Sequence, residues 1–510
     1  MKGIAFSAIG VVLACLAPMA AYGQATPTSP AAAQGDAVPY QTLTGALTRA
    51  DHERYREIPF VLPEGVTRLT VRFSYGGKDQ HSVIDLGLAD PERFRGWSGG
   101  TRDHMTLSIE DATPGYLPGP LPGGQWRLIL GAPNIREGAR ASFEAKIFIE
   151  RQPVVTAFSD APINPAPGWY RGDLHMHSGN SDGKCSSQTG EKVPCPIYRT
   201  LEAAVGRGLD FIALTDHNTT SHFEALRELQ GSFDKLLLIP GREVTTFYGH
   251  ANIFGPTDFV NFQMTAPGYA QAAQWMDAAK REGGVVSINH PGAPSGELCM
   301  GCGWGVDDLP PGAVQAIEVV NGGMMAQTGS AEGPLQGFKL WHDMLGAGQH
   351  VTAIGGSDNH NADIPADKPA AIGTPTTVIF MQSLSVEGFL DGIRSGRVFI
   401  DVRGAKPGSL LDLSATSGKE VAEMGGTLHP RSGTAVHFKL DLKGVAGGTA
   451  HLLIDGEADG GEGRTIGSDG VIDWPAWTSD TRPHWVHAEV RDAQRQLILI
   501  GNPVYIAPRR

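Results

Sequence analysis

The sequence predicts a multidomain α/β plus β protein, with a strand–helix block set between two all-β blocks. Short apolar runs bounded by turn residues recur through the middle of the chain: FIAL at 211–214, LLLI at 236–239, VVSI at 285–288 and VTAI at 351–354. Runs of this kind read as buried parallel strands. Helical stretches alternate with them (IYRTLEAAVGRG, SHFEALRELQ, YAQAAQWMDAAKREGG, LQGFKLWHDMLGAG and VEGFLDGIRSG), several closed by a glycine as helix C-caps are. On both flanks the period changes to two, the mark of half-buried strands. With 510 residues the chain exceeds what one core can hold.

Taken in order, residues 1–23 read as a signal peptide: Met1-Lys2, a mostly apolar run from Ile4 to Ala21, and a small-x-small cleavage form at Ala21-Tyr22-Gly23. Cys15 fits a lipoprotein site poorly, because of the leucine before Ala14. Residues 24–40, rich in Ala, Pro and Thr, read as a linker. Residues 41–155 form an N-terminal β domain: Leu69, Val71, Phe73 and Tyr75 alternate, as do Phe143, Ala145, Ile147 and Ile149, and a further strand begins at Trp126. Such strands, separated by Gly/Pro clusters, suggest a sandwich. The βα block spans 166–400, and alternation returns at Val436, Phe438, Leu440 and Leu442 in a C-terminal β domain, 401–510. No later stretch reaches the length of a membrane span, so none is expected after signal cleavage. A formal charge of -13 argues against nucleic acid as a partner.

Nine potential metal ligands punctuate the middle block, most of them where an apolar run ends: His175, His177, Asp182, His217, Glu243, His250, His290, Asp358 and His360. Side chains placed after strand ends converge on one face of a βα barrel or open sheet. Imidazoles beside carboxylates suit zinc, manganese or iron, not calcium or magnesium. Nine ligands exceed what one ion uses, so two or three divalent ions are expected. Asp173 and Asp216 read as partners that orient these ligands. Arg171 and Arg242 are candidates either for an anionic substrate or for structural ion pairs. His222, His342 and His350, on or beside helical patterns, are expected to be solvated.

The ordered motifs HMHSGNSDG, ALTDHNTT, PGREVTTFYGH, SINHPG and GGSDNH make the middle block similar to the PHP family, named for polymerase and histidinol phosphatase domains. WYRGDLHMHS and the N-terminal β block most resemble its carbaryl-hydrolase-like branch. The resemblance implies a distorted (β/α)7 barrel. It also implies ligand sets: His175, His177, Glu243 and Asp358 for one ion; Glu243, His250 and His290 for a second, with Glu243 bridging; Asp182, His217 and His360 for a third. The expected reaction is attack of metal-bound hydroxide on an ester-like bond of a small molecule, with Glu243 and Asp358 acting through the metals. Carbamates or aryl esters are favoured, because few basic residues (Arg171, Lys184, Arg199, Arg242) lie near the motifs. Phosphoester hydrolysis is the alternative, and metal-dependent or carbohydrate binding without catalysis is the reading from another class. Phe247, Tyr248 and Trp304 are candidates for an aromatic pocket or for core packing.

Four cysteines remain beyond the signal: Cys185, Cys195, Cys299 and Cys302. An even count in an exported chain predicts two disulfides at the rim of the site, with the pairing open and a four-thiolate zinc or a redox CxxC as alternatives.

Overall fold

The computed structural model describes residues 38–509 apart from 101, 110, 152–157, 159–160, 297, 298, 300 and 405–407. The signal peptide, Cys15 and most of the linker lie outside the described residues.

The N-terminal block is a sandwich of two four-stranded antiparallel sheets. One orders its strands Gln41–Thr48, Arg140–Glu150, Arg68–Tyr75, His104–Ser108; the other Tyr55–Leu62, Gly124–Asn134, Val83–Ala89, Phe94–Gly99. Leu69, Val71 and Phe73 face Phe60, Trp126 and Leu128 across one core, as their alternation predicts. Arg95 is wholly buried in it, paired with Asp90 at 3.0 Å and stacked over Trp126. An ion in that position needs these partners.

In the middle block we label the strands β1 (Gly168–Asp173), β2 (Phe211–Leu214), β3 (Leu237–Thr246), β4 (Gly249–Phe254), β5 (Val285–Ile288), β6 (Ala316–Asn321), β7 (Thr352–Gly356), β8 (Thr376–Met381) and β9 (Val398–Asp401). The helices are α1 (Ile197–Gly206), α2 (Phe223–Gln230), α3 (Tyr269–Arg281), α4 (Gly322–Thr328), α5 (Phe338–Gly346) and α6 (Val386–Ser395). The four apolar runs are strands and the five helical patterns are helices. The sheet, however, is mixed. Parallel pairs β1–β2, β2–β3, β5–β6 and β6–β7 are interrupted by β4, antiparallel to both neighbours, and by β8, antiparallel to β1 and β9.

A closed barrel is not formed among the described residues. The two edges of β1 are taken by β2 and β8, so β7 cannot pair along it. The sheet instead curls until β7 meets the chain just beyond β1. There Asp358 N donates to His175 O (2.8 Å) and His177 N to Asn359 O (2.9 Å) around an isolated parallel bridge, Met176 to Asn359.

The C-terminal block does not close on itself. Strand Leu497–Gly501 pairs with β9, so the middle sheet runs on into His484–Arg491 and Thr449–Ile454. A second sheet, built on Leu410–Ser417 and Ala435–Lys443, packs over this extension. Their shared core also takes in Val378 of β8 and Phe399 of β9. Arg171 ties the same seam, pairing with Asp401 at 2.6 Å and donating to Ser409 Oγ at 3.0 Å. It is thus a structural ion pair.

Candidate metal centre

Beyond β1 the strand conformation ends, and His175 and His177 both turn inward while Met176 between them packs away in the core. Glu243 sits mid-way along β3, wholly buried, and β4 brings His250 opposite Thr245. His290 and Asp358 follow β5 and β7 with positive φ, 25° and 52°. Residues other than glycine rarely adopt this conformation, and such strain concentrates at functional positions.

All nine predicted ligands come together. Glu243 is the hub: its Oε1 lies 3.4 Å from His175 Nε2, 3.2 Å from His250 Nδ1 and 3.4 Å from His290 Nε2. Its Oε2 lies 3.6 Å from His177 Nε2 and 2.8 Å from His217 Nδ1. Asp358 Oδ1 completes the first group at 3.3 Å from His175 Nε2 and 3.4 Å from His177 Nε2. Asp182 stands between His217 Nε2 (3.7 Å) and His360 Nε2 (3.4 Å). Three groups with metal-ligand spacing result: His175–His177–Glu243, Glu243–His250–His290, and His177–Asp182–His217–His360. His177 thus borders the third group as well as the first, its ring stacked between His217 (4.3 Å) and His360 (4.1 Å).

The proton positions on the rings are set from outside the cluster. His175 Nδ1 lies 3.1 Å from Glu318 Oε1, His290 Nδ1 3.2 Å from the Cys302 carbonyl, and His360 Nδ1 3.0 Å from the Asp358 carbonyl. Carbonyls and carboxylates accept, so each Nδ1 carries the proton and each Nε2 turns a lone pair inward. His217 Nδ1 lies 2.6 Å from Thr245 Oγ1, a hydroxyl that can either donate or accept. Consequently His175 Nε2, both nitrogens of His177 and His250, and Glu243 Oε2 are buried and make no hydrogen bond. Buried polar atoms are rarely left so, and lone pairs converging on lone pairs are what a cation resolves. Nitrogen and oxygen donors in this mixture fit divalent transition metals.

The charges agree. Burial alone would push Glu243 and Asp358 up; His217, His175 and His250 around the first, and His175 and His177 beside the second, hold both well below the usual carboxylate range. Burial drives His177 down to about 4. His360, less enclosed, overcomes its burial through Asp182 and rises to about 9.

Around the ligands lies a supporting shell that the sequence reading identified in part. Asp173, wholly buried, accepts from the backbone N of His175 (3.2 Å), Ser357 (3.0 Å) and Gly373 (2.6 Å), pinning the first and last ligand loops together. Asp216 accepts from Ser178 N (2.7 Å) and Ser181 Oγ (2.6 Å) in the loop that carries Asp182. Glu318 and Asn289 were missed. Glu318 reaches His175, the His290 backbone (2.8 Å) and Asn321 Nδ2 (3.0 Å), and forms a further group of metal-ligand spacing with His175 and His290. Asn289 Nδ2 donates to Glu243 Oε1 at 2.9 Å. A glutamate within the apolar run of β6, which no partner in the sequence explains, was the available signal.

Arg242 faces away from the cluster. Successive strand residues alternate faces, and Arg242 donates to the Pro256 (2.6 Å) and Asp258 (2.5 Å) carbonyls on the far side of β3. A cavity of about 210 Å³, lined by Arg242, Val244, Asn218 and Phe262 among others, opens on that face and not on the ligand atoms. His222 is a correction: it is wholly buried, its Nε2 donating to the Gly241 carbonyl (2.9 Å), with Nδ1 3.5 Å from Asp216. Its place at the start of α2 turns it toward β3, not toward solvent. His342 is half-buried against Trp341 and Trp485, while His350 is exposed at its edge and stacked on Tyr505. Tyr248 and Trp304 pack on the core beneath β4, whereas Phe247 is 77% exposed.

Both disulfides frame the site. Cys185 is bonded to Cys195 and Cys299 to Cys302. The first closes a hairpin whose Lys184 N donates to His360 O (2.9 Å); the second holds the loop whose Cys302 carbonyl meets His290. Among the described residues no helix is long and apolar enough to cross a membrane.

No family model matches the chain, and no curated protein matches it. Among solved structures, a GH26-CBM35 β-(1,4)-mannanase from Podospora anserina aligns at 10% identity over 62% of this chain and 63% of that one, under two thirds of its length, with a TM-score of 0.14. A likeness at that level carries no argument about fold or function.

Proposed function

We propose that the protein is an exported metal-dependent hydrolase of the PHP type that cleaves ester-like bonds, with carbamates or aryl esters favoured over phosphoesters. The observation that carries this reading is the ring of buried, unpartnered nitrogen and oxygen atoms around Glu243. Divalent ions held there would lower the pKa of a coordinated water toward neutrality and polarise the scissile carbonyl. The chain's own part is to fix the donors. Asn289 holds Glu243 Oε1; Glu318 and Cys302 O aim His175 and His290; Asp173 anchors both loops.

The preference for a carboxyl-type bond rests on the basic residues. Arg171 is paired with Asp401, Arg199 with Asp363 at 2.7 Å, and Arg242 is bound to backbone carbonyls on the other face of its strand. Of the four basic residues near the motifs these three are not available as a clamp for the non-bridging oxygens of a phosphate, leaving the exposed Lys184. Exposed Phe247, on the turn between the strands of Glu243 and His250, offers apolar surface to an aryl group instead. Two disulfides suit an oxidising compartment and so support export.

Competing assays of an aryl phosphate, the matching acetate and an aryl N-methylcarbamate test the selectivity. We expect the higher kcat/KM for the acetate or carbamate. A higher value for the phosphate would replace this substrate class with phosphoesters and leave the metal centre untouched.

A further inference from the structure

The N-terminal sandwich carries a feature that the metal centre does not use. On the outer face of its second sheet, Trp97 lies across two glycines of the neighbouring strands. A Cβ at Gly131 would sit 2.9 Å from the indole Cη2 and 3.2 Å from Cζ2; a Cβ at Gly87 would meet Cε3 and, at 2.9 Å, Cζ3. The six-membered ring therefore spans both strands with its plane against the backbone, which only glycine at both positions allows. Tyr55, 76% exposed, stands edge-on beside it, ring centroids 5.7 Å apart and planes at 67°. Asp85, opposite Gly131 in the sheet, lies beside the same ring. Its carboxyl is pushed up by burial, and among the described residues it makes no hydrogen bond or ion pair.

We infer that this face is a binding platform for a neutral carbohydrate chain. The axial C–H face of a hexose is apolar and stacks on a flat aromatic ring, while its hydroxyls require acceptors at the rim. Trp97 supplies the ring, Tyr55 an upright wall with a phenol, and Asp85 a carboxylate without a competing partner among the described residues. Other ligand classes fit less well. An aliphatic partner would leave the Asp85 carboxylate desolvated and unpaired. An anionic glycan or nucleic acid would meet Asp85 and a chain of net charge -13. An aromatic tile on a rigid sheet also costs little ordering entropy on binding, which suits a weakly held polymer.

The platform is independent of the hydrolase reading, so the test uses the full chain with and without its metals. Affinity electrophoresis in gels containing glucomannan, xyloglucan, hydroxyethylcellulose or dextran, with polygalacturonate as the anionic control, reads retardation directly. We expect at least one neutral polymer to retard the protein, unchanged after chelation, and Trp97→Ala to weaken that binding at least tenfold. Tyr55→Ala and Asp85→Asn, at exposed or half-exposed positions, should each weaken it severalfold while leaving the unfolding midpoint in place, which separates a binding loss from a folding loss. No retardation by any neutral polymer, stronger retardation by polygalacturonate, or undiminished binding by Tyr55→Ala and Asp85→Asn together would overturn the inference.

Discussion

Glu243 contacts five histidines and is itself held by Asn289, its Oε1 facing His175, His250 and His290 and its Oε2 facing His177 and His217. Glu243→Gln removes the shared charge from both, and we expect turnover to fall at least ~10³-fold, the scale for loss of a centre that generates the nucleophile. Steady-state kinetics on metal-loaded protein checks this; near-wild-type turnover at full occupancy would mean that Glu243 is not the hub. Glu318 acts one bond further out. Glu318→Gln keeps the shape but no longer dictates that His175 Nδ1 carries the proton, so metal affinity should fall by ~10–100-fold. Competition against a chelator reads that directly, without reference to activity. The convergence of the nine candidate ligands was legible because each follows a short apolar run or sits in a tight motif. Glu318 and Asn289 were not, because their role exists only once β6 and β5 lie side by side.

At the scale of elements, the disulfide loops are part of the site. Thiol titration under denaturing, non-reducing conditions should find no free thiol among Cys185, Cys195, Cys299 and Cys302. Mild reduction should then release metal before it unfolds the protein, because the Cys302 carbonyl is what orients His290. Retention of all metal after complete reduction would show that the loop holds its shape without the bond. The seam between α5 and the C-terminal sheet carries a different sensitivity. His487 is wholly buried there beside Trp341, Trp485 and His342, and burial, with His342 adding to it, lowers its pKa to about 3. The unfolded chain, with an ordinary histidine, binds a proton near pH 6.5 that the folded chain refuses. Stability is therefore full above pH 6.5 and is lost as pH falls toward 3, by roughly 3 kcal/mol at pH 4. His487→Leu should flatten that part of the profile relative to wild type in denaturant unfolding at pH 7 and pH 4; parallel losses in both proteins would contradict it. The strands and helices around this seam were readable from period and glycine caps. The antiparallel β4 was not, since GHANIF follows β3 after a turn of two residues and carries no gap of its own.

For the whole molecule, the sequence separated the N-terminal sandwich, the strand–helix block and the C-terminal strands, because periods of 2 and 3.6 alternate along the chain. It could not show that the middle sheet runs on into the C-terminal block. Strand pairing between β9 and Leu497–Gly501 joins segments about a hundred residues apart, and no local pattern encodes it. It could not show that the sheet stays open either, since that depends on β8 occupying the edge of β1 that closure needs. The consequence is a candidate metal centre braced on both sides: Asp173 locks the loops after β1 and β7 together, and the Arg171–Asp401 pair locks β1 to the C-terminal sheet. The most direct test of this account is metal analysis of the full chain, purified without chelator and reconstituted with zinc or manganese. We predict at least two ions per chain, falling to one or fewer in Glu243→Gln. A reproducible ratio of one or below in the wild type would contradict the shared-carboxylate centre on which the proposed chemistry rests.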